Sequence, residues 1–395
     1  MKKVSFLLLI CFIIPGLYAD DDYGIRNRTF EIGLANVSAG FSNDFLSIGK
    51  IFKETAVLDI DDLKKGFNLN LELDVVPLYL SFNRNSNWGF GLSVGLDSTG
   101  IISLPGSMVT FGQARNEYAD ISGAAFIGLD IPIFFSISRL KLKVSPSVFY
   151  PLMFIDPDIS YTNWSVQGGT IFDLRYNLRV YTPISLEEGG LQDITAFPGY
   201  DINFGFEYPL GTALGLTEKI KFLDFKIGAD LYNIPIYPAH LNNYMEMSGR
   251  IGSEETMDIF NDGFGDIFDN AASETNYGDQ NVGVHRPFKM LAWADWRPFG
   301  PAVNFIPAVG FSINPFYTKP FSMEYGLKTR LNLGNVFMAT AGVGYYDRLW
   351  KNSLDLALNF RFMEINLGVD MRSADFLKSW QGSGLGVNFG LKFGW

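Results

Sequence analysis

Few residues in this sequence have the types and spacing that reaction chemistry needs. There are two histidines, His240 and His285, and one cysteine, Cys11. A histidine beside a serine and an acid could make a hydrolase, but no G-x-S-x-G turn accompanies either one. Both read as loop or strand-end residues. The acids and glycines from Asp258 to Asp269 have the look of a calcium loop. Such a loop needs an oxygen ligand third and a bidentate Glu twelfth, and those places hold Phe260 and Asp269. No glycine loop stands between a strand and a helix to hold phosphate. Trp293 and Trp296, flanking Asp295, read as interfacial rings. The expectation is a non-enzyme with no metal and no cofactor.

The charged residues are more informative because they keep one phase. Glu72, Asp74, Asp173, Arg175, Arg179, Glu207, Lys226, Asp230, Lys328, Arg330, Asp355, Arg361, Asp370 and Arg372 each fall opposite the apolar side chains of an alternating run. Alternate side chains of a strand point to opposite faces. An Arg or Lys facing lipid near the midplane costs about 2–4 kcal/mol, so the common phase argues for a wet lumen. The plain role of such charges is to pair and brace a wall. Arg175, Arg179, Lys226 and Arg330 are also candidates to bind a carboxylate headgroup.

The elements that would carry these residues are strands. Leu385, Val387, Phe389, Leu391, Phe393 and Trp395 alternate with Gly384, Gly386, Asn388, Gly390, Lys392 and Gly394. Leu354, Leu356, Leu358, Phe360 and Phe362 interleave with Asp355, Ala357, Asn359 and Arg361. The rhythm recurs over 67–82, 88–98, 120–138, 140–154, 169–183, 200–209, 222–234, 286–298, 302–313, 322–333, 335–346, 352–362, 363–372 and 384–395. That is about 14 strands, an even number as single-chain bacterial barrels require. A soluble sandwich also alternates, but its apolar faces meet each other instead of lipid.

Composition agrees. The 395 residues include 36 Phe, 18 Tyr, 7 Trp and 41 Gly, suited to aromatic girdles and to close packing or bending at glycine. Residues 1–19 read as a secretory signal: Lys2 and Lys3, an apolar Leu7–Ile14 stretch, then Leu17-Tyr18-Ala19. Cys11 lies inside it, so the mature chain has no thiol. Removing the signal takes the formal charge from −11 to −13, which disfavours nucleic acid. No later apolar run reaches the length of a membrane helix. The fold class expected is all-β, a transmembrane antiparallel barrel over 67–395.

Two segments fall outside the alternation. Residues 20–66 are too many for a lead-in and read as an N-terminal plug inside the barrel, with Phe41, Phe45 and Ile48 its large side chains; an extra strand or a periplasmic tail is the alternative. Residues 235–285 hold nine acids against Arg250 and read as an extracellular loop. Met257, Phe260, Phe264 and Phe268 could line one helical face of it. With both ends periplasmic, the longer links should follow odd strands. Residues 99–119 break this, being long where a short turn is expected.

The aromatic C-terminus, with Phe393 and Trp395 on the apolar phase, resembles the signature that the assembly machinery of bacterial outer-membrane barrels reads. The signal peptide, small-residue-rich N-terminal segment, strand count and long midway loop resemble the FadL-type transporters of long-chain fatty acids and hydrocarbons, with spirochaete barrels nearest in style. This resemblance covers the architecture of the mature chain. It implies an outer-membrane location, contact with outer-membrane lipids, and passive uptake of a hydrophobic small molecule gated by the plug. A general diffusion porin and a surface adhesin are the alternatives.

Overall fold

The computed structural model describes residues 29–43, 67–84, 88–104, 116–167, 171–184, 196–216, 221–253, 272–317, 319–360 and 362–395. Among these, the chain is almost wholly β. The strands are β1 Phe30–Asn43, β2 Phe67–Arg84, β3 Trp88–Leu104, β4 Asn116–Asp130, β5 Ile133–Ile137, β6 Leu140–Ile155, β7 Tyr161–Gln167, β8 Ile171–Thr182, β9 Gly199–Tyr208 and β10 Phe225–Tyr237. They continue with β11 Ala239–Ser253, β12 Ala272–Val284, β13 Phe288–Trp296, β14 Val303–Ile313, β15 Phe321–Leu333, β16 Phe337–Tyr346, β17 Leu349–Asn359, β18 Met363–Ser373 and β19 Gly384–Gly394.

The wall closes into an antiparallel barrel of 14 strands among the described residues. Its order is β1, β2, β3, β4 with β5, β6, β9, β10, then β13 to β19, and β19 returns to β1. β4 and β5 occupy one place because Pro132 interrupts the strand. Pairing survives the break: the Pro132 carbonyl accepts the Gly91 N–H at 2.7 Å, and the Ile131 N–H donates to Pro146 at 3.0 Å. Closure leaves no free edge in the wall.

The distribution of side chains is that of a membrane barrel. On β17, Leu354, Leu356 and Leu358 are exposed, whereas Asp355, Ala357 and Asn359 between them are buried. Leu367 and Val369 on β18 and Val387 and Phe389 on β19 continue the apolar outer surface. A soluble sandwich would show the opposite, with leucines inside. Rings gather near both rims: Phe82, Trp88 and Phe90, with Phe222 against Trp296, near one, and Tyr325, Tyr345, Trp350 and Phe376 near the other. Such girdles mark the two membrane interfaces.

The count of wall strands matches expectation, but its membership differs in two places. β1 pairs with both β19 and β2, so residues 30–43 are wall and not plug. Phe41 points outward from it. The stretch 171–182, expected in the wall, lies outside the ring. It belongs to an extension in which residues 116–120 of β4 pair with β7, followed in order by β8, β11 and β12. Most described residues of 235–285 are therefore strand, not irregular or helical loop. With β1 counted, the link 105–115 after β3 falls on the long-connection end. The short links after β2, β5, β15 and β17 share the other end with the C-terminus. By the usual barrel rule, the short-turn end is periplasmic and the extension faces out. Residues 1–28 and 44–66, including the expected signal, Phe45 and Ile48, lie outside the described residues. So do Met257, Phe260, Phe264 and Phe268.

Candidate functional site: the lumen and its apolar seal

Inward-facing residues of neighbouring strands meet across the lumen, and charge decides how they are arranged. Arg372 on β18 pairs with Asp370 beside it and with Glu72 on β2. Lys351 on β17 holds both Glu72 oxygens at 2.9 and 3.0 Å and lies 3.6 Å from Asp347. Lys289 on β13 lies 3.9 Å from Asp347 and 2.7 Å from Glu324 on β15. Buried charges persist only when paired, and each member of this chain faces a charge of the opposite sign. Asp347 stands in the tight turn between β16 and β17. Burial opposes its ionisation, but the Lys289 and Lys351 ammoniums prevail and hold its carboxyl below the ordinary value.

A second cluster centres on Arg286, just before β13. Its guanidinium takes Asp201 of β9 in two bonds of 2.7 and 2.8 Å and Ser147 of β6 at 2.6 Å. Asp97 of β3 and Asp130 of β4 each stand 3.7 Å away. The face of Phe149 lies 5.2 Å from the guanidinium carbon. One cation thus serves three carboxylates drawn from three wall strands.

Toward the long-connection end the lumen turns apolar. Phe126, Phe149, Phe154, Tyr181, Leu241, Val284 and Phe316 form a buried cluster. Phe316 comes from the connection after β14, yet its ring lies 5.5 Å from Phe126 on β4 and 5.8 Å from Phe154 on β6. Wall strands β6, β9, β10 and β13 stand between β14 and β4, so this turn crosses the lumen to make the contact. The turn is shaped locally: the Asn314 side chain accepts the Phe316 N–H at 3.0 Å. Tyr317 is held under the Arg348 guanidinium at 4.4 Å. Asp347 and Arg348 both have positive φ, 52° and 66°, as a two-residue hairpin turn requires; Asp tolerates this conformation and Arg resists it. Burying one phenyl ring is worth about 1.5–3 kcal/mol, roughly a ten- to hundredfold bias toward the inward position.

Beneath the cluster lies a cavity of about 260 Å³. Phe126, Phe316 and Tyr317 form its upper wall, and it descends past Asp97, Asp130, Lys143 and Arg286 to Leu391 and Lys392. The arrangement is an apolar lid on a polar chamber.

The expected headgroup cations are not brought together. Arg179 on β8 is outside the ring, paired with Glu246 at 2.9 Å and lying over Tyr244 at 4.6 Å, and Arg175 is exposed on the same strand. Lys226 pairs with Glu207 at 2.7 Å near the short-turn end, and Arg330 is buried on β15. Trp293 is not an interfacial ring either. It shares the phase of Lys289 and donates its indole N–H to Asp230 at 2.7 Å. Trp296 is interfacial, 4.9 Å from Phe222. His240 approaches Asn281 at 2.8 Å, and burial pushes the His285 imidazole down. The expected set lacked Arg286, Lys289, Lys351, Asp97, Asp130, Asp201, Asp347 and Phe316. Lys289 and Lys351 do interrupt their strands as lone cations, a visible signal. Phe316, in a turn, gave none.

The fold and its lined, capped interior define a transmembrane β-barrel. No family model matches the sequence, and no curated protein matches it. Among solved structures, the chain is similar to the Pseudomonas putida toluene transporter TodX, at 12% identity over 93% of this chain and 89% of that one, with a TM-score of 0.46. It is similar to a Pseudomonas aeruginosa FadL homologue, at 9% identity over 92% and 89%, TM-score 0.43. A third similar chain is the CymD monoaromatic hydrocarbon channel, at 8% identity over 94% and 89%, TM-score 0.46.

Proposed function

We propose that this protein is an outer-membrane transport barrel for passive uptake of hydrophobic small molecules, long-chain fatty acids among them. The observation that carries the reading is the apolar cluster at the outward end. A mouth of packed rings repels hydrated ions, whose desolvation is costly, and accepts apolar solutes. The apolar outer wall supports contact with outer-membrane lipids. Phe393 and Trp395, at the end of the closing strand, are the residues offered to the barrel assembly machinery.

The test is saturable binding of a labelled long-chain fatty acid to the purified protein in detergent. A second reading, general diffusion of polar solutes, draws on the charged chamber wall at Asp97, Asp130 and Lys143. Absence of saturation, together with steady ion conductance of the wild-type protein in a planar bilayer, decides for that reading.

A further inference from the structure

We infer that the Asn314–Tyr317 turn is the outward gate of the barrel, and that the Phe316 ring is a stopper held in the lumen by its neighbours. Three features of the structure support this. Phe316 is only 1% exposed although it sits in a connection between strands, and such connections ordinarily run over the surface. Its partners are Phe126 on β4 and Phe154 on β6; β9, β10 and β13 stand between β14 and β6, and β6 as well between β14 and β4, so the ring closes distance across the lumen instead of packing on its own hairpin. The polar chamber begins directly beneath it, with Phe316 and Tyr317 in the chamber wall. A ring that is at once the roof of a polar chamber and part of an apolar cluster blocks the way between them.

The turn is also fastened from one side. The Tyr317 ring lies under Arg348, whose own backbone is left-handed. Asp347, adjacent in the same turn, is anchored toward Lys289 and Lys351. The β16–β17 turn therefore leans inward against the β14–β15 turn. A constriction lined by apolar side chains stops ions by excluding water. Outward rotation of Phe316 can remove the seal with the wall pairing intact, because the ring lies beyond both the last β14–β15 pair, Ile313 with Phe321, and the Asn314 N–H to Pro320 carbonyl bond of 2.9 Å that closes the turn.

The experiment is single-channel recording in planar bilayers with no substrate present, on wild type and Phe316→Ala, each checked for folding by heat-dependent gel mobility. Wild type is expected to be nearly silent, and Phe316→Ala to conduct steadily, on the order of tenfold more or higher. Folded Phe316→Ala that stays as silent as wild type overturns the gate, as does wild type that already conducts as an open pore. Should Phe316→Ala not fold, Tyr317→Ala decides. It keeps the stopper ring but removes the ring beneath Arg348, so more frequent openings support the gate and unchanged silence overturns it. This outcome is separable from the substrate reading. A conducting variant of a protein that binds no fatty acid keeps the gate and loses the ligand, and the reverse pattern does the opposite.

Discussion

The Arg372 guanidinium reaches Glu72 by lying across two strands that offer it only glycine, Gly386 of β19 and Gly40 of β1. A Cβ at either glycine would overlap the guanidinium. The ion pair therefore depends on two residues that carry no charge, and it ties β18 to β2 across the seam where the barrel closes.

Gly40→Val should break this tie. Separating one partner of a buried pair costs about 3–5 kcal/mol, and part of that should appear as a lower temperature for the heat-dependent gel shift. Ala39→Val, one residue away on the lipid phase, should leave that temperature nearly unchanged. Equal effects from the two substitutions would mean that bulk on β1, and not the ion pair, is what matters.

Arg286→Met should leave Asp97, Asp130 and Asp201 facing one another without a cation. Like charges at such range repel, so the variant should be much less stable than wild type, and adding Asp201→Asn should recover part of the difference. Denaturant unfolding followed by Trp fluorescence would show it. A double variant no more stable than Arg286→Met alone would indicate lost packing on Phe149 instead.

Asp347 gives a pH signature. Its carboxyl is held below the ordinary value in the folded protein. The stabilisation is thus complete above the unfolded-state value and is lost as pH falls through the folded one. Wild type should lose thermal stability progressively below about pH 4, and Asp347→Asn should flatten that decline while being less stable at pH 7. The group is partly open to the chamber, so the effect is moderate.

Leu356→Arg tests the membrane directly. Leu356 is exposed in mid-β17 on the outer face, where an Arg costs about 2–4 kcal/mol in a bilayer. Unfolding from lipid vesicles should show that loss. The same substitution in a water-soluble fold would be close to neutral, since the position would already face solvent.

The alternation of large apolar with small or polar residues made most of the wall legible, and the reason it failed in two places, β1 and β8, is physical. In β1 the outward side chains are Leu34 and then, past a register shift between Leu34 and Val37, Val37 and Phe41. The bulge changes the phase by one residue, so no single period runs through the strand. β8 erred the other way. Its Phe172 to Val180 rhythm is real, but a two-faced rhythm marks a strand without saying which sheet holds it. The long link at 99–119, out of place in the expected strand alternation, falls into line once β1 is counted. The lumen was harder to read because its contacts are not local: Arg286 meets Asp201 and Ser147 across the barrel, at sequence separations of 85 and 139. Phase shows that a charge faces inward, but not which charge it meets.

The seam between β1 and β19 has a consequence for how the molecule is made. Thr29 and Phe30 both donate their N–H to the Trp395 carbonyl, and the Phe30 and Trp395 rings lie 5.0 Å apart. Joining stretches so remote along the polypeptide is the slowest kind of contact to form. Until the final strand arrives, β1 has an unpaired border able to recruit foreign strands. Products lacking that strand stay sticky and unfinished, so the ring inspects its own completeness, and a cell that clears open sheets would remove truncated copies without any separate means of recognising them.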